Sequence, residues 1–122
     1  MTALNPVKRL LLGYVIKREE SPWLQTWENY VAPNQMARGL EFGTQPFDLP
    51  RREVISTGSM FGVPTYRWLP AKSKIGTDFL IFYARTPEGF SKVDDAKLEN
   101  GELRIEDRAA GKQITLKASL PL

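Results

Sequence analysis

Apolar residues along this chain recur at every second position or in short unbroken runs between turn residues. Alternation with period two is typical of β-strands, and no stripe with helical spacing interrupts it. The pattern predicts six strands before residue 86. They are RLLLGYVIKR (9–18), WLQTWENYV (23–31), ARGLEFGTQ (37–45), REVIST (52–57), PTYRWL (64–69) and TDFLIFYAR (77–85).

The last of these strands, 77–85, is apolar on both faces, which favours a position at the centre of a sandwich or barrel. The tail 97–118 predicts a meander, with a tight hairpin at Asn100-Gly101 and a looser turn at 108–112. A helix could fit only at 91–99, where it would be too short to change the fold class. We therefore predict an all-β fold, an antiparallel β-sandwich that occupies residues 1–122 as a single domain.

Composition narrows the possible partners. The 17 basic and 14 acidic residues give a net charge of +3, and the basic residues are scattered rather than arranged in a stripe. A nucleic-acid surface needs a denser basic patch, so we expect no nucleic-acid partner. The longest apolar run near the start, residues 10–16, is too short to span a membrane. We expect a cytoplasmic protein without a membrane partner.

The chain has neither cysteine nor histidine. Disulfides and cysteine-bound metal are excluded, and the commonest general acid–base and metal-binding side chain is missing. Proton transfer would therefore need Asp, Glu, Lys, Tyr or a residue from another chain. Because no phosphate-binding glycine loop and no metal-ligand spacing is present either, we expect no metal and no cofactor.

Glu41 stands out on its predicted strand because Gly39 and Gly43 lie two residues away on either side. Alternation places all three on one face, so the carboxylate lies on a nearly bare surface. Glycine inside a strand often marks the close approach of a ligand or of another backbone. The alternative is an ordinary exposed carboxylate on the wet face of an antiparallel strand, with glycines at a bulge.

The strand 23–31 presents a second unusual face, made of Trp23, Gln25, Trp27 and Asn29. Alternating indoles and amides could stack on a pyranose ring and bind its hydroxyls, because ligand sites combine aromatic walls with a few fixed polar groups. The alternative is that both indoles are buried and that their N–H groups bind backbone carbonyls.

Four arginines are candidates to bind an anionic or hydroxylated ligand, since guanidinium offers five donors in a rigid fork. Arg38 and Arg67 are the two that we assign to a substrate site, and Arg51 and Arg52 share the same chemistry. The alternative for each is a solvated surface residue.

In order along the chain, these segments resemble the galactose mutarotase-like (aldose 1-epimerase-like) superfamily. The resemblance is carried by GYVIKREESPWLQTWENY (13–30), ARGLEFGTQPF (37–47) and PTYRWLPAKSKIGTDFLIFYAR (64–85). It implies a β-supersandwich larger than this chain, of which these residues would be the C-terminal portion, with a cleft for a hexose-type sugar. It also implies that Glu41, ahead of Thr44 and Pro46, lies near the concave sugar face.

The sequence departs from the family pattern at the catalytic groups. Lys72 stands in the Pro-Ala-Lys turn where the family places a catalytic glutamate, and the family's catalytic histidine has no counterpart. A protonated lysine cannot accept the anomeric proton. Glu41 is thus the only catalytic candidate in the matched region, and the departures imply at most weak aldose 1-epimerase activity.

We therefore expect a carbohydrate-binding, mutarotase-like domain that acts on or recognises a hexose-type sugar. The alternatives are a non-catalytic carbohydrate-binding or regulatory module and a structural half-domain. Half of a supersandwich would leave sheet edges and apolar surface uncovered. We accordingly expect a homo-oligomer, or association with a separate N-terminal half.

Overall fold

The computed structural model describes residues 1–33 and 35–119, and the protein is all-β. Within these residues there are ten strands and one short helix. The strands are β1 (Thr2–Asn5), β2 (Leu10–Ile16), β3 (Trp23–Ala32), β4 (Gln35–Gly43), β5 (Ser59–Met60), β6 (Val63–Pro64), β7 (Phe79–Arg85), β8 (Asp95–Glu99), β9 (Glu102–Asp107) and β10 (Lys112–Lys117), and the helix α1 is Arg51–Thr57. None of the described helical residues forms a helix long and apolar enough to cross a lipid bilayer.

The chain forms two compact units. Unit 1 combines Met1–Val15 with the chain from Phe79 onward, and unit 2 is the intervening segment Ile16–Asp78. The sequence-based prediction of one domain stays a prediction, as does the sandwich arrangement.

Unit 1 contains two three-stranded sheets, with strand orders β1-β2-β7 and β10-β9-β8. Strand β1 pairs antiparallel with β2, and β9 pairs antiparallel with both β8 and β10. Both sheets contribute to one hydrophobic core. Its buried members are Leu11, Phe82, Phe90, Leu103 and Ile105. The predicted strand at 9–18 and the predicted meander are confirmed, whereas the pattern did not reveal β1.

The two turns predicted in the tail are also confirmed. Asn100 and Gly101 both have positive φ, 50° and 77°, as a tight two-residue hairpin between β8 and β9 requires. The turn between β9 and β10 ends at Gly111, whose φ is 62° and whose N–H donates to the Arg108 carbonyl at 3.3 Å. The segment 91–99, the one place where a helix could fit, instead ends in strand β8.

Asp107, at the end of β9, is fully buried and organises the loops around it. Its carboxylate accepts hydrogen bonds from the Ser91 N–H at 2.8 Å, the Ser91 hydroxyl at 3.0 Å and the Ala110 N–H at 3.0 Å. A longer bond of 3.3 Å comes from the Lys92 N–H. The backbone N–H groups of Ser91 and Ala110, which stabilise the ionised form, lower the pKa of Asp107 to about 2.

We expect Asp107→Asn to lower the free energy of unfolding at pH 7, because an amide cannot accept all of these bonds and buried donors would lose their partner. The native pKa lies below the usual unfolded value of about 3.9, so this stabilisation is present above pH 4 and is lost as pH falls through about 2. Urea unfolding of both proteins between pH 7 and pH 2 should show the difference shrinking with acid. Asp78→Asn, at an exposed carboxylate, is the control, and an unchanged gap at pH 2 would contradict the assignment.

Strand β7 corrects one prediction. It was expected at the centre of the fold, yet in the described sheet it lies at an edge, and β2 takes the central position. Phe82 and Ala84 are buried, but Ile81 and Tyr83 are 59% and 65% exposed. The apolar pattern shows that both faces are hydrophobic but not which face the fold covers. The predicted self-association rests on such exposed apolar surface and stays a prediction.

Unit 2 begins with a long antiparallel hairpin of β3 and β4, in which Trp23 pairs with Gly43 and Asn29 with Ala37. The register shifts once, between Tyr30 and Ala32. Both strands were predicted, and their described extents agree with the predictions to within a few residues.

Helix α1 replaces the predicted strand 52–57, so that prediction is wrong. The β-branched residues misled the pattern, whereas Pro50 before the helix and Gly58 after it, with φ of 70°, are ordinary helix boundary signals. The hydroxyls of Ser56 and Thr57 donate to the Glu53 carbonyl at 2.9 and 3.0 Å, which satisfies them within the helix.

The predicted strand 64–69 is also wrong beyond its first residue. Pro64 ends the two-residue strand β6, and the residues after it are irregular. The fully buried Thr65 explains the change, because its hydroxyl donates to the Val54 carbonyl at 2.9 Å and its N–H to the Gly58 carbonyl at 3.0 Å. Thr65 therefore satisfies helix-end carbonyls instead of continuing a sheet ladder.

Candidate functional site

The register of the β3–β4 hairpin combines the two faces that the sequence singled out. Gln25 lies directly opposite Glu41, and Trp27 lies directly opposite Gly39. Residues directly opposite each other in an antiparallel pair point to the same side of the sheet. The resulting surface, called here the Trp–Glu face, consists of Trp23, Gln25, Trp27 and Asn29 from β3 and Ala37, Gly39, Glu41 and Gly43 from β4.

A cavity of about 460 Å³ opens on the Trp–Glu face, and this volume is typical of small-molecule sites. We call it the acidic cavity because two carboxylates, Glu41 and Asp48, line it. The remaining lining residues are Gln25, Thr26, Trp27, Phe42, Gly43, Thr44 and Gln45.

The two glycines of β4 shape this cavity in different ways. A Cβ atom at Gly39 would lie 3.4 Å from Cε3 of Trp27, so the absent side chain lets the indole lie across the neighbouring strand. A Cβ atom at Gly43 would meet nothing within 4 Å, so that glycine leaves open space beside Glu41. Trp27 is half exposed, which leaves part of its ring available for a ligand.

Hydrogen bonds fix the two glutamine side chains, Gln25 and Gln45, that line the acidic cavity. The Gln25 side-chain amide donates to the Gln45 carbonyl at 2.9 Å, and the Gln45 amide donates to the Phe47 carbonyl at 2.9 Å. Within the described part of the chain, the carboxylate of Glu41 makes no hydrogen bond or ion pair with another residue. Glu41 therefore keeps its acceptor capacity for a ligand.

Trp23 and Asn29 lie on the same face but do not line the cavity. The Trp23 Nε1–H donates to the Pro64 carbonyl at 2.7 Å, a bond that the alternative interpretation expected of both indoles, but Trp23 is only partly buried and Trp27 is half exposed. Trp23 thus connects the hairpin to strand β6, and Asn29 is exposed further along β3.

Arg38 lies on the opposite face of the hairpin, directly across from Glu28. The two form an ion pair, and the Glu28 carboxylate also accepts the Tyr30 hydroxyl at 2.9 Å. The Tyr30 hydroxyl and the Arg38 guanidinium together lower the pKa of Glu28. The structure therefore does not bring Arg38 to the acidic cavity.

Arg67 lines a second cavity, of about 600 Å³, which we call the basic cavity. Its other lining residues are Thr44, Gln45, Arg51, Val54, Ile55, Tyr66, Trp68, Leu69 and Ala71. Thr44 and Gln45 line both cavities, so the two adjoin within unit 2.

Asp48 is the site residue that sequence reasoning missed. It lies in the loop after β4, between Pro46 and Pro50, and such loops often carry functional groups. Lys72, the departure from the family pattern, lines neither cavity, although its neighbour Ala71 lines the basic one. In residues 1–33 and 35–119 no group of three or more carboxylates is close enough together to hold a metal ion.

We compared the chain with protein-family models, with curated proteins and with solved structures, and none of these comparisons found a match. The resemblance to the mutarotase-like superfamily is therefore an interpretation of the sequence pattern.

Proposed function

We propose that unit 2 recognises a hexose-type sugar in the acidic cavity. The observation that carries the proposal is the cross-strand register, which places Trp27, Gln25 and Glu41 on one face around a single cavity. The sequence analysis predicts Gln25 and Trp27 as sugar-binding residues and Glu41 as the catalytic candidate.

The chemistry of the lining suits a neutral, hydroxyl-rich ring. The exposed part of the Trp27 indole can cover the apolar C–H face of a pyranose. The carboxylates of Glu41 and Asp48 can accept hydrogen bonds from ring hydroxyls, and bonds to a charged group are the stronger ones. The Gln25 carbonyl oxygen offers one more acceptor beside them.

The proposal concerns recognition. Mutarotation would need a base that takes the anomeric proton and an acid that protonates the ring oxygen. Glu41 is the candidate for the first role, and Asp48 is the second carboxylate that lines the cavity. The resemblance to aldose 1-epimerases suggests this reaction, and the lysine at position 72 argues for slow turnover.

Isothermal titration with D-glucose and D-galactose tests the proposal. We expect binding to the wild type at millimolar sugar, and an approximately tenfold loss of affinity in Glu41→Gln, because hydrogen bonds to a charged acceptor are each worth about 1.5–3 kcal/mol. Trp27→Ala removes the stacking surface and should lower affinity at least as much.

The matched control is Glu28→Gln, because Glu28 lies on the same hairpin but on the opposite face. It should bind both sugars as the wild type does. Absence of binding across a broad monosaccharide panel, or equal losses in the two glutamate variants, would contradict the proposal.

A further inference from the structure

The two adjoining cavities of unit 2 carry opposite charge. Among the described residues, Glu41 and Asp48 line the acidic cavity without any lysine or arginine. Arg51 and Arg67 line the basic cavity without any aspartate or glutamate. A ligand that extends over the shared rim of Thr44 and Gln45 would meet carboxylates at one end and guanidinium groups at the other.

The two arginines of the basic cavity have no hydrogen-bond or ion-pair partner among the residues that the structure describes. Within the described residues, neither Arg51 nor Arg67 makes a hydrogen bond or an ion pair, whereas Arg38 and Arg108 are both paired with carboxylates. Two like charges that line one cavity repel each other, and an anion placed between them would relieve that repulsion. Guanidinium also binds phosphate and carboxylate in a two-pronged geometry that lysine cannot match.

We propose that the ligand of unit 2 is a sugar that bears an anionic group, phosphate or carboxylate, with the anion held by Arg51 and Arg67 in the basic cavity. This inference rests on the proposed sugar site and specifies its substrate class. The charges also determine which end of the ligand enters each cavity. The carboxylates of the acidic cavity repel the anionic group and accept hydrogen bonds from the sugar hydroxyls. Tyr66, which lines the basic cavity, adds one hydroxyl that could donate to the same anion.

Isothermal titration at about 0.15 M salt, where surface charge is partly screened, tests the inference. The probes are D-glucose, D-glucose 6-phosphate, D-glucuronate and inorganic phosphate. We expect at least one of the two anionic sugars to bind about tenfold or more tightly than glucose, since charge-assisted bonds are roughly twice as strong as neutral ones. The two anionic sugars distinguish a phosphate from a carboxylate.

The variant pair Arg51→Gln and Arg67→Gln, made together, should reduce the affinity for the anionic sugar to that for glucose. Arg52→Gln is the matched control, because Arg52 neighbours Arg51 on helix α1 but does not line the basic cavity. It should retain the preference for the anionic sugar.

Each outcome is decisive. If neutral and anionic sugars bind equally, or if Arg52→Gln abolishes the preference as fully as the double variant, the anionic site is refuted while sugar recognition stands. If no sugar binds, the proposed function fails, and the inference fails with it. If inorganic phosphate binds equally to the wild type and the double variant, the arginines do not form the anion site.

Discussion

Gly13→Ala is expected to lower the free energy of unfolding by about 3 kcal/mol, the upper end of the usual cost of overpacking a core. Gly13 is buried in the central strand β2, against the ring of Phe82 from β7. A Cβ atom there would lie 2.6 Å from Cε1 and 2.9 Å from Cε2 of that ring, and closer still to Cζ. Because Phe82 is itself only 6% exposed, it has little room to move away.

Gly76→Ala is the matched control for this substitution. A Cβ atom at Gly76 would meet nothing within 4 Å, and its φ is not positive, so alanine should be neutral or slightly stabilising. The second test is rescue, since Phe82→Leu shortens the side chain that causes the clash. The double variant should be more stable than the sum of the single losses predicts.

Urea unfolding followed by far-UV circular dichroism measures these effects. Trp23, Trp27 and Trp68, the three tryptophans of the chain, all belong to unit 2, so circular dichroism is used in place of indole fluorescence. Hydrogen exchange of the β9 amides gives a second readout for unit 1. Equal stability of Gly13→Ala and the wild type would show that β2 and β7 do not pack as described.

Ile105→Ala is expected to cost about 2–5 kcal/mol, the range for truncating a buried isoleucine. Ile105 is completely buried in the central strand of its sheet, between Ala96 of β8 and Ile114 of β10. It belongs to the core that both three-stranded sheets of unit 1 share. Removal of its side chain leaves a cavity that neighbours from two sheets would have to fill.

A smaller truncation at the same position and a substitution at an exposed neighbour serve as controls for Ile105→Ala. Ile105→Val removes a single methylene and should cost only about 0.5–1.5 kcal/mol. Arg104→Ala, at the adjacent exposed position of β9, should change the free energy of unfolding by less than about 0.5 kcal/mol. A loss at Ile105 no larger than the loss at Arg104 would contradict the position of the core.

Local sequence signals correctly predicted the elements that depend on residues close together in the chain. Strands β2, β3, β4 and β7 follow from their apolar patterns, and the hairpin at Asn100-Gly101 follows from two residues that tolerate positive φ. The same rules failed at α1, where β-branched residues suggested a strand. There the boundary residues Pro50 and Gly58 and the contacts of Thr65 outweighed strand propensity.

Part of the candidate site also follows from local sequence, and part depends on how the two strands pair. Strand alternation alone places Gln25 and Trp27 on one face of β3, and Glu41 between two glycines on one face of β4. Alternation alone does not show that the face of β3 and the face of β4 lie on the same side of the hairpin, because that depends on the register between the strands. A slip of one residue would have put Glu41 on the side of Leu24, Thr26 and Glu28 instead, away from Gln25 and Trp27.

Local sequence patterns therefore account for the all-β class, most strand positions, the tight turn after β8 and the side of its strand on which each candidate residue lies. These properties depend on side-chain alternation and turn chemistry within a few residues. Contacts formed in the folded chain set the pairing of β3 with β4, the edge position of β7 and the placement of Arg51 and Arg67 along one cavity. Each of these depends on contacts between residues distant in sequence, which no local pattern encodes.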